Sequence, residues 1–119
     1  MSDRILRAAV VGVGHLGRHH ARILGSMPGV ALRVVVDTNG PRAREIAAPL
    51  GARAVTDVRE ILDDVDLVSI ATPTEVHGEV AALCLERGIP VLVEKPLARS
   101  VTACDAIIDA AARTGAILA

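Results

Sequence analysis

The chain has 119 residues, a formal net charge of −1 and no Phe, Tyr or Trp. One domain of this size can bury roughly two thirds of its unfolded surface, and here it must do so with Val, Leu, Ile and Ala. Interspersed charge and absent aromatics argue against a nucleic-acid partner, and no apolar stretch is long enough to span a membrane.

Residues 6–13 (LRAAVVGV) read as a first strand rather than a secretion leader, because the apolar part is short, broken by glycine and lacks a cleavage site. Residues 15–27 follow with Leu16, Ile23, Leu24 and Met27 at helical spacing, closed by Pro28-Gly29. Residues 30–37 (VALRVVVD) are a second strand. Residues 40–51 are a second helix, with Pro41 in its first turn, Gly51 past its end and Pro49 distorting its last turn. A weak third strand (52–55) and a short helix (58–62) capped by Asp57 come next. A fourth strand (65–71), a helix (75–88) ended by Gly88, a fifth strand (89–94) and a helix (100–115) capped by Ser100 or Thr102 lead to AILA (116–119), the start of a sixth strand. Strands alternating with helices predict βαβ units: a doubly wound, mostly parallel α/β sheet with helices on both faces. Cys84 and Cys104 have no CxxC partner, fall in helices and read as buried free thiols in a reducing cytoplasm.

GVGHLG sets Gly12, Gly14 and Gly17 in a GxGxxG turn between a strand and a helix. Gly12 allows the tight turn, Gly14 lets backbone approach a pyrophosphate and Gly17 lets helix pack on strand, with helix N–H groups facing the phosphates. Asp37 ends the second strand twenty residues after Gly17, where a carboxylate accepts ribose hydroxyls and repels a 2′-phosphate. That favours NAD over NADP, although Arg42 lies close enough to hold the extra phosphate. Glycines needed only for packing, and a methyltransferase-type nucleotide site, remain open readings of this stretch. His15 lies in the turn and faces the pyrophosphate position. His15 and His19 could share a helix face, but no third metal ligand is evident, and His19 and His20 read as surface or packing residues.

Two later strand ends are polar. ATPTEVH follows the fourth strand: Pro73 holds Thr72 extended, Thr72 and Thr74 can meet a cofactor or cap the next helix, and His77 sits in that helix's first turn, where the dipole disfavours its cation. EKP follows the fifth strand and contains Lys95, the one lysine among thirteen basic side chains. A lysine can lose its proton when buried, whereas an arginine cannot, so Lys95 is a candidate acid–base or electrostatic group. A surface pair with Glu94 is the plainer alternative.

These segments together (VVGVGHLGRHHARIL, VVVD, ATPTEVHGEVAALCLERGIPVLVEKPLA and the final GAIL) resemble the N-terminal NAD(P)-binding Rossmann domain of the glucose–fructose oxidoreductase, inositol dehydrogenase and MocA family. GVGHLGRHHARI is most similar to bacterial members acting on nucleotide-linked amino sugars. The resemblance implies hydride transfer between a nicotinamide and a sugar or cyclitol hydroxyl. It implies that Lys95 lies by the nicotinamide and bonds the reacting oxygen, with Glu94 beside the cofactor and a cis Lys95–Pro96 bond. Residues and resemblance together assign Gly12, Gly14, His15, Leu16, Gly17, Asp37, Ala71, Thr72, Pro73, Thr74, His77, Glu94 and Lys95 to the cofactor, and Lys95 to catalysis.

The family's second, substrate-binding domain has no counterpart in these residues. The expectation is a domain fragment or truncated product, inactive alone. A stand-alone dinucleotide-binding module that senses cofactor or docks on a partner stays open.

Overall fold

The computed structural model describes residues 5–94 and 100–119, the side chains of Thr74 and Glu75 excepted. Strands β1 (Leu6–Val11), β2 (Val30–Val36), β3 (Arg53–Val55), β4 (Leu67–Ile70) and β5 (Val91–Val93) form one parallel sheet in the order β3-β2-β1-β4-β5. Helices α1 (His15–Ser26), α2 (Gly40–Ala47), α3 (Thr74–Glu86) and α4 (Val101–Thr114) connect them. The doubly wound expectation holds, with the strand order reversing between β1 and β4. Residues 116–119 run alongside β5 through a single parallel bridge, Val91 with Leu118, and through bonds such as Val93 N–H to Ala119 O at 2.8 Å.

Local chemistry sets the element ends. Strand β1 stops at Val11 because Gly12 turns out of the sheet at φ +88°. Pro49 has no N–H to continue an α-ladder, so Ala48–Leu50 tightens into a 3-10 turn. Residues 58–62 likewise give only one 3-10 turn, Val58–Glu60, whose cap Asp57 accepts from Arg59 N–H. Ser100, not Thr102, caps α4, accepting from Ala103 N–H at 3.1 Å.

Alternating strand residues build two apolar layers. Ala9, Val11, Val34, Val36, Val68, Ile70 and Val91 face α3 and α4, where Val80, Cys84, Leu85 and Ile107 meet them. Val10, Leu32 and Val35 face α1 and α2, where Ala21, Ala43 and Ala47 are the fully buried contacts and Leu24, Ile46 and Leu50 pack around them, partly buried. Leu32 and Val34 are two apart yet lie in opposite layers. The cause is a slip in the β1–β2 register: Ala8 pairs with Leu32 and Ala9 with Val34, leaving Arg33 as a bulge.

The two thiols differ. Cys84 is fully buried, and burial pushes its pKa up to about 12. Cys104 is half-buried, short of the full burial expected for it. Ellman's reagent at neutral pH is therefore expected to modify Cys104 in the folded chain and to reach Cys84 only on denaturation. Peptide mass mapping reads which thiol has reacted, and rapid native modification of Cys84 would contradict the packing described.

Candidate functional site

In an open parallel sheet a ligand sits beyond the carboxyl ends of the strands, where their order reverses. Backbone bonds tie those ends into one rim: Gly12 N–H to Val36 O and Ala71 N–H to Val11 O at 2.8 Å, Glu94 N–H to Ile70 O at 3.0 Å and Asp37 N–H to Val55 O at 3.1 Å. Gly12, Asp37, Ala71 and Glu94, far apart in the chain, are thereby brought to one edge.

The three glycines have different reasons. A Cβ on Gly12 would stand 2.6 Å from Thr72 N, and one on Gly17 would stand 1.7 Å from Gly12 O. Both positions are closed by the protein's own backbone. A Cβ on Gly14 would meet no atom within 4 Å, and its φ of −68° suits any residue. No neighbouring atom of the fold fills the space beside Gly14, so the turn is open there to a group approaching from outside. Gly14 is also the N-cap of α1 and brings no capping side chain, so the first N–H groups of the helix lack an intrahelical partner. His15 and Leu16, in the first turn, are exposed.

Val13, at the centre of the turn, is gripped from both sides. Its N–H donates to Asp37 Oδ2 at 2.9 Å, and its carbonyl accepts from Arg42 Nε at 2.9 Å. Asp37 Oδ1 takes Asn39 N–H, also at 2.9 Å, and the Arg42 guanidinium reaches Glu45 at 3.0 Å. Arg42, which the sequence leaves as a possible phosphate ligand, is thus engaged with loop and carboxylate.

A cleft of about 420 Å³ opens beside this turn between Gly12, Asp37, Val58, Thr72, Val76 and Leu83. Its wall is mainly aliphatic, with the Asp37 carboxylate at one edge. Thr72 Oγ1 is buried and finds no hydrogen-bond partner among the described residues, a deficit that a bound polar group would relieve. His77 is not on the cleft wall: it is buried, and its Nε2–H donates to Thr72 O at 2.8 Å, bracing the turn from behind. Pro73 is the N-cap of α3 and makes no side-chain cap. Thr74 begins the helix, and its hydroxyl lies outside the described residues.

His20, read from sequence as a packing or surface residue, is half-buried and joins two strands. Its Nδ1 lies 2.8 Å from Ser69 Oγ in β4, and its Nε2 lies 2.6 Å from Glu94 Oε1 at the end of β5. The one sequence signal for it is Ser69, a polar residue inside the apolar run LVSI. His15 and His19 rings meet edge to face at 5.4 Å. Desolvation, with Arg18 and Arg22 adding, holds the His19 pKa below its ordinary value. Among the described residues no group of three or more His, Cys, Asp or Glu converges on a metal-sized site. Lys95 and Pro96 lie outside the described residues.

A family model described as "Oxidoreductase family, NAD-binding Rossmann fold" (GFO_IDH_MocA) matches residues 6–119. Over 114 residues the chain is 41% identical to a UDP-N-acetylglucosamine 3-dehydrogenase of Acidithiobacillus ferrooxidans, covering 96% of this chain and 36% of that protein. Over 120 residues it is 43% identical to an inositol 2-dehydrogenase of Rhodococcus erythropolis, covering 97% of this chain and 35% of that protein. The structure of GenD2 from gentamicin A biosynthesis, in complex with NAD, superposes with a TM-score of 0.93 at 40% identity, over 98% of this chain and 34% of that one. The chain spans about a third of the length of these relatives.

The glycine geometry separates fold from binding. Gly17→Ala is expected to lower stability by about 1–3 kcal/mol or more, as overpacking does. Gly14→Ala is expected to lower the thermal midpoint far less than Gly17→Ala, by no more than the loss of a glycine N-cap, while weakening dinucleotide binding. Thermal melts paired with titration calorimetry check both, and a Gly14→Ala chain that binds as tightly as its parent would leave that glycine unexplained.

Proposed function

The chain belongs to the Gfo/Idh/MocA oxidoreductase family as its NAD-binding Rossmann domain, and from that premise we propose that it holds NAD for hydride transfer to or from a hydroxyl of a sugar, a nucleotide-linked sugar or a cyclitol. The observation that carries the reading is Gly14: a glycine with open space beside it, placed between two that the fold's own backbone closes. The unpartnered Thr72 Oγ1 supports it. So do the names of the relatives, a dehydrogenase of UDP-N-acetylglucosamine and one of inositol.

Bound nicotinamide supplies the hydride acceptor or donor. The chain's own groups hold and polarise. Backbone N–H groups at Gly14, His15, Leu16 and Gly17 face the phosphates with the positive end of the α1 dipole behind them. Asp37 offers its carboxylate to the ribose hydroxyls while keeping the Val13 and Asn39 N–H groups. The aliphatic cleft beside it takes the flat base. Ala71, Thr72 and Pro73 border the dinucleotide's path toward Glu94, and Lys95, next in the chain, is the group proposed beside the reacting oxygen. Its Nζ can donate to that oxygen or accept its proton; a guanidinium cannot accept one. NAD is favoured over NADP because Asp37 repels a 2′-phosphate and Arg42 is held by Val13 O and Glu45. The two unpaired thiols are consistent with a cytoplasmic protein. The charge of −1 and the missing aromatics speak against a nucleic-acid partner. No helix among the described residues is long and apolar enough to cross a membrane.

Calorimetric titration of the 119-residue chain is expected to show NAD(H) binding more tightly than NADP(H). In Asp37→Asn the charge repulsion goes, roughly 1–4 kcal/mol for charges 4 Å apart between bulk water and a protein surface. The NAD-over-NADP ratio should then fall by about tenfold or more. NAD affinity should fall as well, because one amide oxygen cannot replace two carboxylate oxygens for Val13 and Asn39. A folded sample that binds no NAD(H) would overturn the proposal, and equal affinity for the two cofactors in the parent would remove Asp37 from cofactor choice.

A further inference from the structure

Ser69 and His77 are the polar side chains buried in the interior among the described residues. Ser69 sits in a register row with Val10 of β1 and Leu92 of β5, on the face that α1 covers. His20 stands three residues after Gly17, hence on the helix face pressed toward the sheet. The approach that Gly17 permits lowers the His20 ring onto Ser69. Satisfying a buried hydroxyl needs only one ring nitrogen. The other lies 2.6 Å from Glu94 Oε1, a close contact in which the acceptor is a carboxylate. A carboxylate only accepts, so Nε2 carries the proton in this bond. In the neutral ring Nδ1 is then the acceptor for the Ser69 hydroxyl. With the ring neutral, the donors run one way, Ser69 to His20 to Glu94, across three elements.

We propose that His20 is a positioning residue: through this bond chain it fixes the Glu94 carboxylate at the end of β5 and so ties the phosphate-facing helix to the nicotinamide side of the site. The proposal rests on the cofactor reading above. The backbone of Glu94 is held separately, by its bond to Ile70 O, so the side chain is what His20 controls.

The test uses the 119-residue chain and two ligands, ADP-ribose for the half bound at the glycine turn and NADH for the whole. His20→Asn keeps a partner for Ser69 but cannot reach Glu94; His20→Gln can reach Glu94. Thermal melts confirm that each variant folds. His20→Asn is expected to hold ADP-ribose affinity within about twofold and to weaken NADH about tenfold, the scale of losing one charge-assisted bond. In a Glu94→Ala background, His20→Asn should weaken NADH no further, because His20 acts only through that carboxylate. His20→Gln should recover part of the loss. Equal losses for both ligands, or additive losses in the double variant, would overturn the proposal.

Ring 15N shifts of His20 provide a readout that needs no cofactor. A single Nε2–H tautomer that is lost in Glu94→Ala supports the bond chain. A mixed tautomer in the parent, or one indifferent to Glu94→Ala, refutes it. If the parent binds neither ligand, the cofactor reading and the coupling to it fail, and the ring shifts alone decide whether the chain from Ser69 to Glu94 exists.

Discussion

Helix α1 can lie where it does only because Gly17 has no side chain. The first added carbon would stand 1.7 Å from the Gly12 carbonyl, well inside any tolerable contact. That approach sets the helix height over β1 and β4. It puts Gly14 and the open N–H groups at the sheet's rim, and it puts His20 and Ala21 one turn along against the strands beneath. The glycine turn, the packing of the α1 face and the link to β5 all depend on this single backbone contact.

Around it, the composition works in the same direction. Without aromatic side chains, the α1 and α2 layer is wholly aliphatic, and the helix residues buried deepest in it are the alanines Ala21, Ala43 and Ala47. Several polar side chains of the site also hold backbone groups. Asp37 and Arg42 hold the two sides of the Val13 peptide, and His77 braces the Thr72 carbonyl. Each side chain assists a turn that is poor in regular hydrogen bonds, and such turns are where binding residues gather.

Most of the architecture was legible because it rests on local rules. Gly12 and Gly17 occupy positions where backbone geometry admits no other residue. Pro49 announced the distorted end of α2, and Asp57 the cap of the 3-10 turn Val58–Glu60. Alternating strands and helices pointed to a doubly wound, mostly parallel sheet, and the structure places its reversal between β1 and β4. The site was legible only where it is backbone or a strand terminus, as at Asp37 and Ala71. His20, Ser69 and Glu94 are separated by 49 residues in one pair and more in the other, and they meet through the crossover that places β4 beside β1. Periodicity carries no trace of that. Arg42 was ambiguous for a related reason: proximity in sequence shows that a guanidinium can reach a phosphate, not that a carbonyl already holds it. Lys95, the residue the resemblance makes central, falls outside the described residues, and its role stands as a proposal.

The bulge at Arg33 acts as a phase shifter for β2. Leu32 points to the α1 and α2 side, and regular alternation from there would send Val34 and Val36 to that side and Asp37 to the other. The slipped register inverts the phase before the strand ends. Asp37 therefore arrives on the side of Val13 and Arg42, and the carboxylate that grips the turn owes its direction to an irregularity four residues upstream. A strand's chemistry at its tip can be written near its start, so an insertion or deletion between Leu32 and Asp37 would act on the ligand end of the sheet while leaving every ligand-facing residue unchanged in identity.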